Sequence, residues 1–187
     1  MARSSKPGPS APERILDAAE ARLLKYGPNG LVLEAVARDA SVSKGGLLYH
    51  FASKEALVDG LIGRMLDSFD VVQAQLAGAE RVKKGKWTRA YLASTVTDDG
   101  EPADNSAQLM AGLIAAIDND PVRLRRIRKR FAAWHERIEG DDVDIVTATV
   151  VRLAADGLWL SALLGLPRLD KSLRRRVLKR LREMTAK

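Results

Sequence analysis

Residues 41–54, SVSKGGLLYHFASK, contain four side chains of types that can bind phosphate. Lys44 and Lys54 carry positive charge, and each stands where a helix is expected to begin. Tyr49 and His50 can donate hydrogen bonds to phosphate oxygens. A local cost of placing lysine at a helix N-terminus is offset when the partner is anionic. These residue types at this spacing indicate recognition of a phosphate backbone rather than catalysis.

The same stretch contains two adjacent glycines, Gly45 and Gly46, just after the good N-cap residue Ser43. Glycine is unfavourable inside a helix by roughly 1 kcal/mol relative to alanine. Backbone amides at a helix N-terminus can reach a phosphate or a base edge when no bulky side chain intervenes, so the pair would supply clearance. The alternative is that the glycines relieve close packing between two helices.

The elements around this stretch form a recognisable pattern of short helices. Ser10 and Glu13 make a capping box for a first helix that Gly27 ends. A short helix over LEAVARDA, a tight turn at 41–42 and a second short helix over KGGLLYHF follow. Ser53 caps a long third helix that begins KEAL. Two short helices joined by a tight turn predict a helix-turn-helix, whose second helix enters the major groove by its N-terminal end.

The segments RILDAAEARLLKYG and AVARDASVSKGGLLYHFASKEALVDGL resemble the N-terminal DNA-binding domain of TetR-family transcriptional regulators over about residues 13 to 62. The resemblance implies a homodimer on a palindromic double-stranded operator, with repression relieved when a small-molecule effector binds a helical C-terminal domain. Carried over position by position, it implies that DNA is contacted by Ser43, Lys44, Gly45, Tyr49, His50 and Lys54.

Three residues depart from the family's pattern. Val32 stands where a threonine often caps the second helix and touches phosphate, Ser41 replaces a common turn glycine, and Leu48 replaces a frequent tyrosine. We therefore expect the mode of binding to be kept, with an affinity lower than is usual for the family.

The rest of the chain reads as helices separated by polar turns, which predicts an all-α protein of about nine helices. The expected organisation is a flexible arm (1–9), a three-helix helix-turn-helix DNA-binding domain (10–57) and a helical ligand-binding and dimerisation domain (58–187). The later helices are expected near 87–97, 104–117, 121–139, 142–165 and 170–185.

Aromatic and methionine side chains concentrate in the second domain, where they could line a pocket for a lipophilic or aromatic ligand. The candidates are Trp87, Tyr91, Leu109, Met110, Leu113, Phe131, Trp134 and Trp159. The alternative for each of them is an ordinary core position. If the ligand is a cation, Glu101, Asp104 or Asp156 could pair with it, and the sequence favours none of the three.

The helices near 142–165 and 170–185 are expected to form the homodimer interface. The first is apolar nearly all round, and Ala154, Ala155 and Gly157 would allow close approach of another helix. The alternative is that both helices close the core of a monomer. The segment is long enough to span a bilayer, but charges such as Arg152 and Asp156 disfavour that reading, so no membrane contact is expected.

Composition excludes several other functions. The chain has 187 residues, no cysteine, two histidines and a formal net charge of +7. The basic run RLRRIRKRF is interpreted as a solvated helix face, and a second nucleic-acid site is the alternative. His135 has no second ligand at metal-binding spacing, and no phosphate-loop or catalytic motif occurs, so we expect no metal, no cofactor and no enzyme. A cytoplasmic DNA-binding repressor is the preferred reading. An activator or partner-controlled regulator without an inducer is the alternative, and a helical enzyme is a distant one.

Overall fold

The computed structural model describes residues 8–97, 99, 101–116 and 120–186, so most of the predicted arm at 1–9 lies outside the described residues. Within them the chain is all-α, as predicted, with nine α-helices and a 3₁₀ turn at Gly27–Gly30. The helices are α1 (Ala11–Tyr26), α2 (Leu33–Asp39), α3 (Lys44–His50), α4 (Lys54–Ala79), α5 (Lys86–Thr95), α6 (Ser106–Ala116), α7 (Pro121–Glu139), α8 (Ile145–Leu163) and α9 (Lys171–Thr185).

The chain forms two compact units, Met1–Gly63 with Gly112–Ile117, and Arg64–Ala111 with Asp118–Lys187. The first unit contains α1 to α3 and the start of α4. Its core is apolar and fully enclosed, with Ile15, Ala19, Leu23, Val36, Leu47 and Leu57 all at most 3% exposed. The predicted capping box is present, since Glu13 Oε2 accepts from the Ser10 backbone nitrogen at 2.6 Å.

The second unit contains most of α4 together with α5 and α7 to α9. The buried carboxylate of Asp141 accepts hydrogen bonds from the Thr88 backbone nitrogen at 2.7 Å and from Thr88 Oγ1 at 2.9 Å. Asp141 thereby satisfies the first turn of α5 from the loop between α7 and α8. Three other helices are capped locally, because Asp120, Asp144 and Asp170 each accept from a backbone nitrogen two or three residues ahead.

Helix α8 has an apolar face that is open to solvent. Val146, Val150, Leu153, Leu160 and Leu164 are 43 to 66% exposed and follow one another at intervals of four, three, seven and four residues. This spacing keeps one stripe of the helix apolar, as at a helix–helix seam. In the described part of the chain α8 is also the one helix long and apolar enough to cross a membrane, a test that core helices of soluble proteins pass too.

Candidate nucleic-acid interface and ligand cavity

Helices α2 and α3 and the turn between them form the predicted helix-turn-helix. Ser43 Oγ accepts from the Gly46 backbone nitrogen at 2.9 Å, and Ser53 Oγ accepts from the Ala56 nitrogen at 3.2 Å. Both short-range caps therefore exist where the sequence predicted them. Val32, the N-cap of α2, makes no side-chain cap bond, which leaves that helix start without the bond a threonine would give.

Helix α3 buries one side and exposes the other. Leu47 is fully buried, whereas Tyr49 is 85% exposed. Of the predicted DNA-contacting residues, those exposed are Ser43, Lys44, Gly45, Tyr49 and His50, and those half-buried are Gly46 and Lys54. The exposed residues share the outer surface of α3 and its cap, so polar side chains and bare backbone are presented together.

The two glycines differ in what surrounds them. A Cβ added at Gly45 would meet only Ser43 Oγ, at 3.9 Å, which is ordinary contact. A Cβ at Gly46 would lie 3.2 Å from the same oxygen and would crowd the N-cap. Packing within the protein thus explains a preference for glycine at position 46. It does not explain the glycine at position 45, where a side chain would fit.

Lys44 already has an acidic neighbour in the protein. Its Nζ lies 2.5 Å from Oε1 of Glu34 on α2, with both side chains more than half exposed. The hydrogen bond from Lys44 holds the pKa of Glu34 below its usual value. Exposed pairs of this kind contribute little to stability and are screened by salt, so a phosphate could take the place of Glu34 at low cost.

The turn before α3 shows why a glycine is common at the position that Ser41 occupies. Ser41 has φ of 55°, the left-handed region that glycine adopts most easily. The backbone of this turn therefore has the shape that a turn glycine would favour, and a serine adopts it under some strain. The fold accommodates Ser41 without losing the turn, whose Val42 nitrogen still donates to Ala37 oxygen at 2.9 Å.

A cavity of about 60 Å³ lies inside the second unit. It is lined by Met65, Leu66, Phe69, Tyr91, Thr95, Asp104, Ser106, Met110, Phe131, Trp134, Asp156 and Trp159. Five aromatic rings and two methionines make its wall, and two carboxylates interrupt it. It is smaller than the roughly 300 to 1,000 Å³ of typical drug-sized ligand pockets.

Five of the eight candidate ligand-binding residues meet at this cavity, namely Tyr91, Met110, Phe131, Trp134 and Trp159. The other three do not line it. Leu109 and Leu113 are buried one turn apart on α6, about 100° and about 60° around that helix from Met110. Trp87 lies under the guanidinium of Arg137, 5.4 Å from its ring centroid.

The sequence interpretation missed the contribution of α4 to the cavity. Met65 and Phe69 are spaced i, i+4 on α4, and their type and spacing do not distinguish them from ordinary core positions. Phe69 in fact packs on Trp134 with ring centroids 4.6 Å apart and on Tyr91 at 5.8 Å. Phe131 also packs on Trp134, with ring centroids 4.8 Å apart. The rings form a contiguous aromatic cluster, the arrangement that suits a planar or greasy ligand.

Asp70 fixes the orientation of the central ring. Its Oδ1 accepts from Trp134 Nε1 at 2.8 Å and from Arg137 Nη1 at 2.9 Å, and Arg130 pairs with its other oxygen. Burial alone would raise the pKa of Asp70, but the hydrogen bonds from Trp134 and Arg137 and the nearby positive charges outweigh it and lower that pKa. Asp70 is therefore ionised at neutral pH and holds the indole in place.

The two carboxylates of the cavity wall have different partners. Asp156 Oδ1 accepts from Tyr91 Oη at 2.5 Å, and burial, reinforced by the charge of Asp156, raises the pKa of Tyr91 so that it remains a donor. Asp104 is exposed and accepts from the Ser106 backbone nitrogen at 2.8 Å. Glu101, the third acid considered from sequence, pairs instead with Arg168 and Arg174.

Within the described residues, no group of three or more His, Cys, Asp or Glu side chains could hold a metal ion. His135 has an arginine neighbour rather than a second ligand. Arg152 Nη1 lies 3.2 Å from His135 Nε2 and 3.2 Å from Asp156 Oδ2.

Two protein-family matches cover the N-terminal and the C-terminal part of the chain. Residues 15–61 match the family described as "Bacterial regulatory proteins, tetR family", and residues 85–186 match "Tetracyclin repressor-like, C-terminal domain". The fold and the exposed, capped helix α3 define a helix-turn-helix DNA-binding regulator. The chain belongs to the TetR family of transcriptional regulators, as the sequence resemblance implied.

Solved structures of similar proteins cover nearly the whole chain. A TetR-family member from Streptomyces coelicolor A3 is 27% identical, with a TM-score of 0.62 over 92% of this chain and 98% of its own. The multidrug binding protein EbrR complexed with ethidium is 26% identical, with a TM-score of 0.61 over 94% and 99% of the two chains. EbrR complexed with malachite green is 28% identical, with a TM-score of 0.59 over 92% and 98%. Among curated proteins, none matches this chain.

Proposed function

We propose that the chain is a homodimeric repressor that binds a palindromic operator through α3 and the start of α4, and that a small lipophilic or aromatic ligand in the cavity releases it. The observation that carries the DNA-binding part is the bare, exposed backbone at Gly45 on a capped helix whose outer surface also presents Tyr49 and His50. Backbone amides, hydroxyl and imidazole are donors suited to phosphates and base edges.

The apolar stripe on α8 supports the homodimer. Its exposed valines and leucines would be an unusually large apolar surface on a monomer. Their alternating spacing of three and four residues is that of helices packed side by side. A twofold dimer would present two copies of α3, and such proteins bind inverted repeats. A charged residue in the stripe, Val150→Glu, is expected to shift the protein to monomers in analytical ultracentrifugation.

The aromatic cavity supports a ligand of the lipophilic class, and the complexes of EbrR with ethidium and malachite green point the same way. Helix α4 offers the route for coupling, because it carries Lys54 in its first turn and Met65 and Phe69 in the cavity wall. A ligand can release DNA only if it binds the DNA-incompetent arrangement more tightly than the competent one. The fold of the family favours this regulatory role over an enzymatic one.

The test begins with selection of random duplex DNA by the purified protein at fixed moderate salt. Enrichment of an inverted repeat that is lost with Tyr49→Ala supports site-specific reading by a dimer. Ethidium or malachite green should then release the selected DNA. No enrichment with a correctly folded protein would refute operator binding by this chain alone.

A regulator that binds DNA but answers to a protein partner, or that activates transcription, remains the alternative. It predicts that neither dye raises the melting temperature nor changes the affinity for the selected DNA.

A further inference from the structure

Asp156, one of the two carboxylates of the cavity wall, is paired with a positively charged side chain of the protein itself. Its Oδ2 lies 3.2 Å from Nη1 of Arg152, one helical turn earlier on α8, and its Oδ1 accepts from Tyr91. Arg152 is not among the residues that line the cavity, although its carboxylate partner Asp156 is. Its side chain is 19% exposed and that of Asp156 is 33% exposed. The pair is better shielded than a surface ion pair, which increases the attraction between the two charges.

Arg152 also has a second acceptor. The same Nη1 lies 3.2 Å from Nε2 of His135. Burial and then the charge of Arg152 lower the pKa of His135, so its ring is neutral at pH 7 and can accept a hydrogen bond there. Arg152 would therefore retain a partner if Asp156 were taken from it.

We propose that Arg152 is a built-in competitor for the ligand site: it holds Asp156 when the cavity is empty, and a cationic aromatic ligand must displace it from that carboxylate. This inference rests on the proposed function. Phe69, Trp134 and the other rings attract a delocalised cation through their faces, and Asp156 supplies the countercharge. Arg152 lowers the affinity for cations selectively, because a neutral ligand has no reason to displace it. The cavity is thereby protected from weakly binding cations.

Replacing Arg152 by methionine keeps an unbranched apolar stem and removes the guanidinium group with its charge. We expect the affinity for ethidium, an aromatic cation, to rise by about tenfold or more. The affinity for N-phenyl-1-naphthylamine, a neutral fluorescent aromatic, should change by less than about twofold, because the carboxylate does not attract it. Asp156→Asn should weaken ethidium binding, and in that background Arg152→Met should have no further effect on it.

The matched control is Arg126→Met, which removes the same charge from an exposed position on α7. It should leave the affinity for ethidium unchanged, which separates a local effect from the general field of the protein. Arg152→Gln, which keeps hydrogen-bond donors without the charge, provides a second folded variant if methionine disturbs the wall. Circular dichroism at 222 nm establishes that each variant is folded.

The outcomes are distinguishable. If wild-type protein binds ethidium and a folded Arg152 variant binds it no more tightly, the competitor role of Arg152 is wrong while the proposed function stands. If wild type and variants bind neither probe, both the inference and the proposed ligand class are wrong. If only the neutral probe binds and releases DNA, the cavity is a sensor but not for cations.

Discussion

Replacing Gly45 with alanine separates the two explanations of the glycine pair. The added methyl would have only Ser43 Oγ nearby, at 3.9 Å, so the folded protein has room for it. Alanine is favoured over glycine in a helix interior by roughly 1 kcal/mol, and by less in the first turn. We therefore expect the free energy of unfolding, measured in urea, to stay the same or to rise by up to about 1 kcal/mol.

DNA binding should respond in the opposite direction. The methyl would stand between the first turn of α3 and the DNA, where the bare backbone of Gly45 is proposed to approach. A specific contact at a base edge is worth roughly 1 to 3 kcal/mol. The dissociation constant for the selected operator, measured by fluorescence anisotropy at fixed salt, should therefore increase by roughly 5- to 150-fold.

Gly63→Ala is the matched control, because Gly63 lies on α4 and a Cβ there would meet nothing within 4 Å. That variant should gain up to about 1 kcal/mol of stability, as expected in a helix interior, and keep the operator affinity of the wild type. If Gly45→Ala binds the operator as tightly as the Gly63→Ala control, the clearance explanation is wrong. If Gly45→Ala is instead markedly less stable than wild type, the glycine serves packing.

Three further changes follow from the structure. Ser41→Gly should raise the free energy of unfolding by roughly 0.5 to 1 kcal/mol, because relief of a left-handed serine exceeds the entropy cost of glycine; a lower urea midpoint would contradict this. Asp70→Ala should destabilise the protein by roughly 1 to 3 kcal/mol and change the tryptophan emission spectrum, because Trp134 Nε1 loses its acceptor; an unchanged spectrum would refute the positioning role of Asp70. The pKa of His135 is lowered in the folded state, so the imidazole binds a proton more readily in the unfolded chain. The free energy of unfolding should therefore be highest above about pH 6.5 and should fall as the pH drops below that value. His135→Gln should flatten that dependence in urea titrations from pH 7.5 to 5.5, and an equally steep loss in the variant would assign it to other groups.

Local sequence signals predicted the first unit well because its determinants are local. The caps at Ser43 and Ser53 each bond to a backbone nitrogen three residues away, so residue type and spacing suffice to find them. The exposure of Tyr49 and the burial of Leu47 follow from the 3.6-residue period of a single helix. The left-handed backbone of Ser41 was visible only through the comparison with a glycine usual at that position.

The cavity was predicted only in part because its members come from helices far apart in sequence. Tryptophan and tyrosine stand out by their size, whereas Met65 and Phe69 of the cavity wall are indistinguishable in sequence from core residues of a long helix. The period of the apolar residues identifies the buried face of a helix, but it does not show whether other side chains fill the space opposite that face. For the same reason the sequence could not decide which of Glu101, Asp104 and Asp156 would face a ligand. Only the tertiary structure shows that Arg168 and Arg174 pair with Glu101.

The small volume of the cavity bears directly on how a ligand would act. A space of about 60 Å³ holds a few water molecules but not a dye, so a ligand of that size must displace aromatic side chains or the helices that carry them. Such displacement would be unfavourable without the ligand, so an open conformation with room for the ligand would be the minor one. A ligand that stabilises the open conformation shifts the population by the difference between its affinities for the two, and by nothing more. Because Phe69 belongs to the wall and to α4, opening at this residue is the step that could reach Lys54 along one continuous helix. A cavity already large enough for its ligand would bind that ligand more tightly, but binding would then cause a smaller conformational change in α4.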